Sequence, residues 1–220
     1  MRIGLISDTH LNSRVTDYSA LEEAISELNK TVDVVLHAGD LTDGIHVYPG
    51  QEAEQVTQSV DEVIKATTGY LNRLEIPIYL ISGNHDLSYQ KAVGLDVVAQ
   101  VVSQCGANIH YLGHFSGNIS LQGLKFRLLH PSGAAPYGIG YPAQKYLRNL
   151  DLRQESLDWL VLGHFHKSYY ANIQGVNCIG LPSFQRANDF SRRRGFGEEV
   201  GYEVLSLPKK GGFSIQRRRY

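Results

Sequence analysis

The chain has 220 residues, 42% of them hydrophobic and 20% charged, with a formal net charge of −1. This balance excludes a wholly disordered chain, and the length suits one domain over 1–220, with 181–220 as a basic C-terminal extension packed on it. Apolar runs such as Val34–Leu36 and Trp159–Leu162 fall far short of the ~20 residues of a membrane span. Two cysteines, Cys105 and Cys178, are too few for a disulfide framework or a thiolate metal site and read as small buried residues. With no signal-peptide pattern at the start, the expectation is a cytoplasmic protein without membrane association. Arg186–Tyr220 holds nine basic and four acidic residues, a surplus of five positive charges that leaves Met1–Gln185 at −6. Such a tail can hold a polyanion, or it is a solvated surface.

In chain order, Arg2–Ser7 reads as a buried strand that runs into Asp8-Thr9-His10. Tyr18–Lys30 has Leu21, Ile25 and Leu28 on one helical face. Val32–Ala38 is a second strand stopping at Gly39-Asp40, and Glu52–Leu74 reads as one long helix with Val56, Val60, Val63, Ile64 and Leu71 in phase. Ile76–Ser82 is a third strand ending at Gly83-Asn84-His85-Asp86, followed by a helix over Lys91–Cys105. This alternation predicts a largely parallel sheet with crossover helices. The second half is strand-rich: Asn108–Leu112, Asn118–Leu121, Lys125–His130, Trp159–Leu162, Tyr169–Ile173, Val176–Ile179, Tyr202–Leu207 and Phe213–Arg217, with one helix over Pro142–Leu150. Two sheets packed face to face, with helices outside, follow from that division.

Ligand-type side chains sit where the strands end: Asp8, His10, Asp40, Asn84, His85, His130, His164 and His166. The carboxyl ends of strands in an open α/β sheet form the crevice where sites assemble. Gly39, Gly83 and Gly163 precede ligand positions and let the backbone turn sharply. In His164-Phe165-His166 an extended, period-2 backbone would put both imidazoles on one side, with Phe165 pointing away. A donor set of two Asp, one Asn and four His, with one His to spare, suits borderline divalent ions and neither Ca²⁺ nor a thiolate site. Seven ligands exceed the needs of one ion and suit two ions sharing a carboxylate. Singly, such residues are explained by helix capping, turns or satisfied histidines, and His37, His46, His110 and His114 fall in that class. Five separate segments, each ending a strand with ligand residues, are not.

Taken in order, Asp8-Thr9-His10, Gly39-Asp40-Leu41-Thr42-Asp43, Gly83-Asn84-His85-Asp86, His130 and Gly163-His164-Phe165-His166 resemble the five motifs of calcineurin-like metallophosphoesterases. The resemblance covers about three quarters of the chain. It implies an α/β fold, a four-layer α-β-β-α sandwich of two mixed sheets with flanking helices. It also implies two divalent metal ions, Mn²⁺ first, with Fe²⁺, Zn²⁺, Co²⁺ or Ni²⁺ as alternatives. Carried over by position, one ion is held by Asp8, His10, Asp40 and His166 and the other by Asp40, Asn84, His130 and His164, with Asp40 bridging. His85 is then the general acid at the leaving-group oxygen, and Asp86 the partner of its ring.

Departures from the family pattern narrow the expected activity. The two phosphate-clamping arginines of the phosphoprotein phosphatases are absent, Asp43-Gly44 and Ser82 standing in their places. Gly-Asn-His-Asp resembles the DNA-repair exonuclease and cyclic-nucleotide phosphodiesterase branches. A phosphodiester, of nucleic acid or nucleotide, is the implied substrate. A small-molecule phosphomonoesterase and a non-catalytic protein-binding scaffold are the alternatives. Two segments are candidates for substrate contact: Pro131–Tyr146, with Tyr137 and Tyr141 able to stack a base, and Ser183–Gly197, with Arg192, Arg193 and Arg194 able to meet phosphates. The competing readings are tyrosines that pack the first loop down, and a surface loop whose phenylalanines cover a sheet edge.

Overall fold

The computed structural model describes residues 1–133, 138–151, 155–193, 195 and 197–220, save the side chains of 189 and 190. Strands and helices alternate first: β1 (Arg2–Ile6), α1 (Tyr18–Thr31), β2 (Val34–His37), α2 (Val60–Leu71), β3 (Ile78–Ser82), α3 (Asp86–Val93), α4 (Val97–Ser103) and β4 (Ile109–His114). The remainder is β5 (Ser116–Leu121), β6 (Leu124–Leu129), α5 (Tyr141–Arg148), β7 (Trp159–Leu162), β8 (Tyr169–Ile173), β9 (Val176–Gly180), α6 (Asp189–Arg193), β10 (Gly201–Ser206) and β11 (Ser214–Arg219).

The first sheet has the order β11-β10-β1-β2-β3-β4 and the second β5-β6-β7-β9-β8. Strands β1 to β4 run parallel, and β10 joins β1 antiparallel, so the last strands complete the first sheet. In the second sheet β6, β7 and β9 are parallel, with β5 and β8 antiparallel at the edges. Period-2 alternation divides the core. Ile3, Leu5, Leu36, Phe126, Trp159, Val161 and Leu205 meet between the sheets. Leu21, Ile25 and Leu28 of α1 cover the outer face of the first sheet with Val63 and Ile64 of α2, while Ala143 and Leu147 of α5 cover Leu160 and Cys178 of the second. The result is the expected α-β-β-α layering.

Caps explain where helices begin. Asp17 accepts from the Ala20 amide at 3.0 Å at the start of α1, a contact worth about 1 kcal/mol. Two expected helices are shorter than their apolar spacing suggested. Only a 3₁₀ turn, Gln51–Glu54, stands at the start of the anticipated Glu52–Leu74 helix; Gln55 is extended and α2 begins after its own cap, Ser59. Val56, in phase on paper, is 55% exposed. The anticipated Lys91–Cys105 helix is two: Gly94, at φ 72°, ends α3, and Asp96 caps α4. Local capping chemistry overrides periodicity at both places.

Candidate metal centre

Parallel register brings the strand ends together: Ile6 pairs with His37 across β1–β2, and Leu129 with Leu162 across β6–β7. The chain leaves these strands in an uncommon conformation. Asp8, His10, Asp40, His164 and His166 all have positive φ, between 43° and 79°. Left-handed backbone at a non-glycine residue costs about 1–2 kcal/mol, and such strain gathers where surrounding structure fixes a functional geometry. For His164 and His166 this corrects the extended, period-2 expectation. Their rings diverge, His164 packing at 5.1 Å from the His130 ring and His166 at 5.1 Å from the His10 ring, while Phe165 sits edge-on to His164 at 4.7 Å.

Three sets of ligand atoms converge: Asp8, His10 and His166; His10, Asp40 and His85; Asp40, His130 and His164. His166 Nε2 lies 3.2 Å from both Asp8 Oδ1 and His10 Nε2. His130 Nε2 lies 3.1 Å from Asp40 Oδ2 and 3.2 Å from Asn84 Oδ1. Hydrogen bonds behind the rings fix which nitrogen faces inward. His130 Nδ1 donates to the Ala38 carbonyl at 2.7 Å, so Nε2 is the nitrogen turned toward Asp40 and Asn84, where a cation would take the place of a proton. His164 Nε2 donates to the Gly133 carbonyl at 2.8 Å, which leaves Nδ1 for the site. Carboxylate, amide and imidazole atoms therefore converge, and among the described residues the buried His10 Nδ1 makes no hydrogen bond, Asp43 Oδ1 lying 3.3 Å from it. This donor set, oxygen and imidazole together, fits divalent cations.

The charges in the site respond to one another. Burial pushes the Asp8 and Asp40 carboxyls up, yet the surrounding imidazoles, His166 and His130 foremost, outweigh it and hold both below the ordinary range. Burial pushes His130 down, but Asp40 outweighs it and carries the ring up to about 9. His37 is neutral, its pKa driven down by burial to about 4. It accepts from the Gly39 amide at 3.2 Å and donates to Thr9 Oγ1 at 3.2 Å, and Thr9 donates to the Leu41 carbonyl at 2.9 Å. A buried histidine thus ties the loops after β1 and β2 together beneath the site, in keeping with its reading as a satisfied core residue.

Around His85 the structure differs from the expectation. Its Nδ1 donates to the carbonyl oxygen of Asp43 at 2.6 Å, and the Asp43 carboxylate is 3.8 Å away. Asp86 is not its partner. The Asp86 carboxylate accepts from the amides of Gly83, Leu41 and Thr42 and from the Thr42 hydroxyl, at 2.8–3.1 Å. Four donors hold it as the clasp between the second and third motifs, while burial, reinforced by Asp40, pushes its pKa up to about 6. Asp43, inside a motif yet unassigned from sequence, is wholly buried and 3.3 Å from His10 Nδ1. Its spacing, three residues after Asp40, was the available signal.

The candidate substrate contacts divide. Tyr137 and Arg194 lie outside the described residues. Tyr141, 49% exposed, lines a groove of about 1000 Å³ with Phe115, His130, Tyr146 and Phe165. Tyr146 is tied down, its hydroxyl accepting from Arg127 at 2.8 Å. Arg192 and Arg193 are exposed on the short helix α6, where the sequence suggested only a loop. Much of the tail's positive charge is already used: Arg186 pairs with Asp17 and Glu198, Arg217 with Glu203, Arg218 with Glu27, and Arg219 with Glu199. Among the described residues, no helix is long and apolar enough to cross a membrane.

The chain is similar to the DNA polymerase II small subunit of Methanocaldococcus jannaschii, 27% identical over 95% of this chain and 43% of that one. The same subunit of Methanothermobacter thermautotrophicus is 25% identical over 86% of this chain and 48% of its own. The chain thus spans about half the length of these curated relatives. Among solved structures, an archaeal phosphodiesterase superposes with a TM-score of 0.57 at 18% identity, over 99% of this chain and 100% of the other. Vps29 of Entamoeba histolytica complexed with Zn²⁺ superposes with a TM-score of 0.55 at 17% identity, over 100% and 99%. These two likenesses are of fold. The profile of the calcineurin-like phosphoesterase superfamily domain matches residues 1–189, and the chain belongs to the calcineurin-like phosphoesterase superfamily.

Proposed function

We propose that the chain is a dinuclear-metal phosphodiesterase acting on nucleic acid or nucleotides. The observation that carries this reading is the convergence of seven metal-type side chains with their ligand atoms turned toward one another, beside a histidine held by a separate hydrogen bond. Asp8, His10, Asp40 and His166 would hold one ion and Asp40, Asn84, His130 and His164 the other, with Mn²⁺ as the first candidate and Fe²⁺, Zn²⁺, Co²⁺ or Ni²⁺ as alternatives. When bound, the ions supply Lewis acidity and lower the pKa of coordinated water.

The remaining work belongs to the chain. With Nδ1–H committed to the Asp43 carbonyl, the His85 ring in its doubly protonated form presents Nε2–H to the leaving oxygen and delivers that proton there, returning to the neutral Nδ1–H tautomer, a step that typically contributes 10²–10⁴ in rate. The groove at Tyr141, continuous with His130, receives the organic part of the ester, where an aromatic face can stack a base. Arg192, Arg193 and Arg194 meet phosphates further along the strand. Kinship with DNA polymerase small subunits supports a nucleic acid as substrate, a partner chain as companion and a cytoplasmic setting. It also supports the second reading, a subunit that acts through protein contacts alone. Metal-loaded protein assayed on bis-p-nitrophenyl phosphate, p-nitrophenyl phosphate, cyclic nucleotides and single- and double-stranded DNA separates these. Metal-dependent cleavage of diesters over the monoester supports the first, preference for the monoester replaces it with a phosphomonoesterase, and inertness toward all of them leaves the second.

A further inference from the structure

The segment after the second sheet enters the metal centre from below. Phe184 is wholly buried; its amide donates to the Asp8 carbonyl at 3.0 Å, and its carbonyl accepts from Asp17 at 2.8 Å. Gln185, 6% exposed, comes next. Its Nε2 donates to Asp43 Oδ1 at 3.0 Å and lies 3.3 Å from Ser13 Oγ. From the opposite side, Gln51 Nε2 donates to Asp43 Oδ2 at 3.0 Å and to the Asp43 carbonyl at 2.6 Å. Gln51 is itself anchored, accepting from the Val47 amide at 2.8 Å through Oε1. Gln185 is held through its backbone, its amide donating to Ser183 Oγ at 2.7 Å.

Asp43 is fully buried, and among the described residues no Lys or Arg pairs with it. A buried carboxylate needs several donors to persist as an anion. Here each oxygen receives a neutral amide, and the ionisable groups near it are His10 Nδ1 at 3.3 Å and His85 Nδ1 at 3.8 Å. Neutral donors orient the carboxylate without cancelling its charge; a guanidinium would do both. The carbonyl that accepts the hydrogen bond from His85 Nδ1 also accepts from the same Gln51 amide.

We propose that Gln185, acting with Gln51 through Asp43, is a positioning residue that fixes the ring orientation and tautomer of His85 and His10. The inference rests on the phosphodiesterase reading only for its catalytic consequence, since the tautomers exist whether or not the protein turns over. The segment Ser183–Asn188, suggested by the sequence as part of a phosphate flap, thereby becomes a brace for the acid, and the C-terminal part of the chain is needed to complete the site. Loss of either amide lets Asp43 shift relative to the His85 ring, so that its carbonyl no longer holds the Nδ1 proton and the Nε2–H tautomer becomes accessible.

The test is Gln185→Met, which keeps length and volume and removes both donors, with Gln51→Met approaching from the other side in case the first variant fails to fold. Histidine ¹⁵N–¹H long-range spectra of the metal-free and Zn²⁺-loaded full chain read the tautomers directly. Wild type should show His85 as a single Nδ1–H tautomer, and either variant a mixture or a shifted pattern at His85 and His10. In turnover, kcat on an alkyl diester should fall about tenfold with KM within about twofold, while kcat on the nitrophenyl diester falls less than about threefold, because the latter leaving group hardly needs a proton. Wild-type tautomers in both variants would overturn the positioning role. A wild-type protein that hydrolyses no phosphate ester would overturn the phosphodiesterase reading instead, and the spectra would still decide this one.

Discussion

Replacing Gly83 by Ala probes how tightly the ligand loops are built against one another. A β-carbon there would stand 2.1 Å from Asp40 Oδ1 and 2.6 Å from the Asp40 amide nitrogen, where ordinary contact begins at 3.4 Å. The amide nitrogen belongs to backbone at the end of β2 and yields little, so the carboxylate has to retreat by roughly 1 Å, at a cost typical of overpacking, about 1–3 kcal/mol. The displaced oxygen is the one that accepts the His85 amide at 2.8 Å, and its twin faces His130 Nε2 at 3.1 Å. Both halves of the proposed centre share Asp40, so both should suffer. Calorimetric titration of metal-free protein with Mn²⁺ should show two sites in wild type and weakened binding at both in Gly83→Ala. Diester hydrolysis should fall ~10²-fold, the usual cost of a 1 Å misplacement in an assembled site. Melting of the metal-free variant should drop by ~2–12 °C. Wild-type affinity at both sites with rates within about threefold of wild type would refute the idea that the Gly83–Asp40 contact shapes the centre.

His85→Ala should keep both ions and lose ~10²–10⁴ in rate on an alkyl diester but far less on a nitrophenyl diester; loss of metal would show that the ring is a ligand and not an acid. Glu203 is 1% exposed, neither carboxylate oxygen has a hydrogen-bond partner among the described residues, and Arg217 Nε stands 3.3 Å away. Burial, opposed by Arg217, raises its pKa from 4.5 to about 6. Because the folded value exceeds the unfolded one, this group's stabilising contribution is complete below about pH 4.5 and is lost as pH rises through about 6. Glu203→Gln should therefore stabilise the metal-free protein at pH 8 by about 2 kcal/mol relative to its effect at pH 4, read as a melting difference of several degrees; equal effects at both pH values would contradict the burial argument. Replacing Arg192, Arg193 and Arg194 together by Gln should weaken DNA binding and flatten its salt dependence by ~0.7–0.9 per lost phosphate contact, with a small diester unaffected; equal effects on both substrates would make the segment structural.

The gathering of the candidate ligands was legible before folding because strand ends in a parallel sheet meet at one edge, so residues far apart in sequence, such as Asp8 and His166, share a crevice. Layering was equally legible from the change between alternating and strand-rich halves. What periodicity could not show was where helices break: Gly94 and Asp96 split one expected helix, and Ser59 starts another late, because caps act locally and apolar spacing does not register them. The geometry of His164-Phe165-His166 was misread for a related reason. An extended backbone is the default for a short segment after a strand, whereas here the two histidines occupy left-handed conformations that only the assembled site sustains. The Asp86 pairing failed because adjacency to His85 says nothing about direction: the side chain turns to four donors on the second and third motifs. Gln51 and Gln185 carried no signal at all, since a glutamine's role depends on contacts across 8 and 142 residues of chain.

The most direct measurement is the metal content of wild type and Asp40→Asn after reconstitution with Mn²⁺ and removal of free ion, with bis-p-nitrophenyl phosphate hydrolysis followed on the same samples. Asp40 belongs to two of the three converging ligand sets and lies 3.1 Å from His130, so a single oxygen-to-amide change removes the charge that both proposed ions would share. Wild type should hold about two equivalents and hydrolyse the diester, and Asp40→Asn should lose most of both metal and activity while remaining folded. A variant that kept two tightly bound ions at full activity, or a wild-type protein that took up none, would contradict the dinuclear centre.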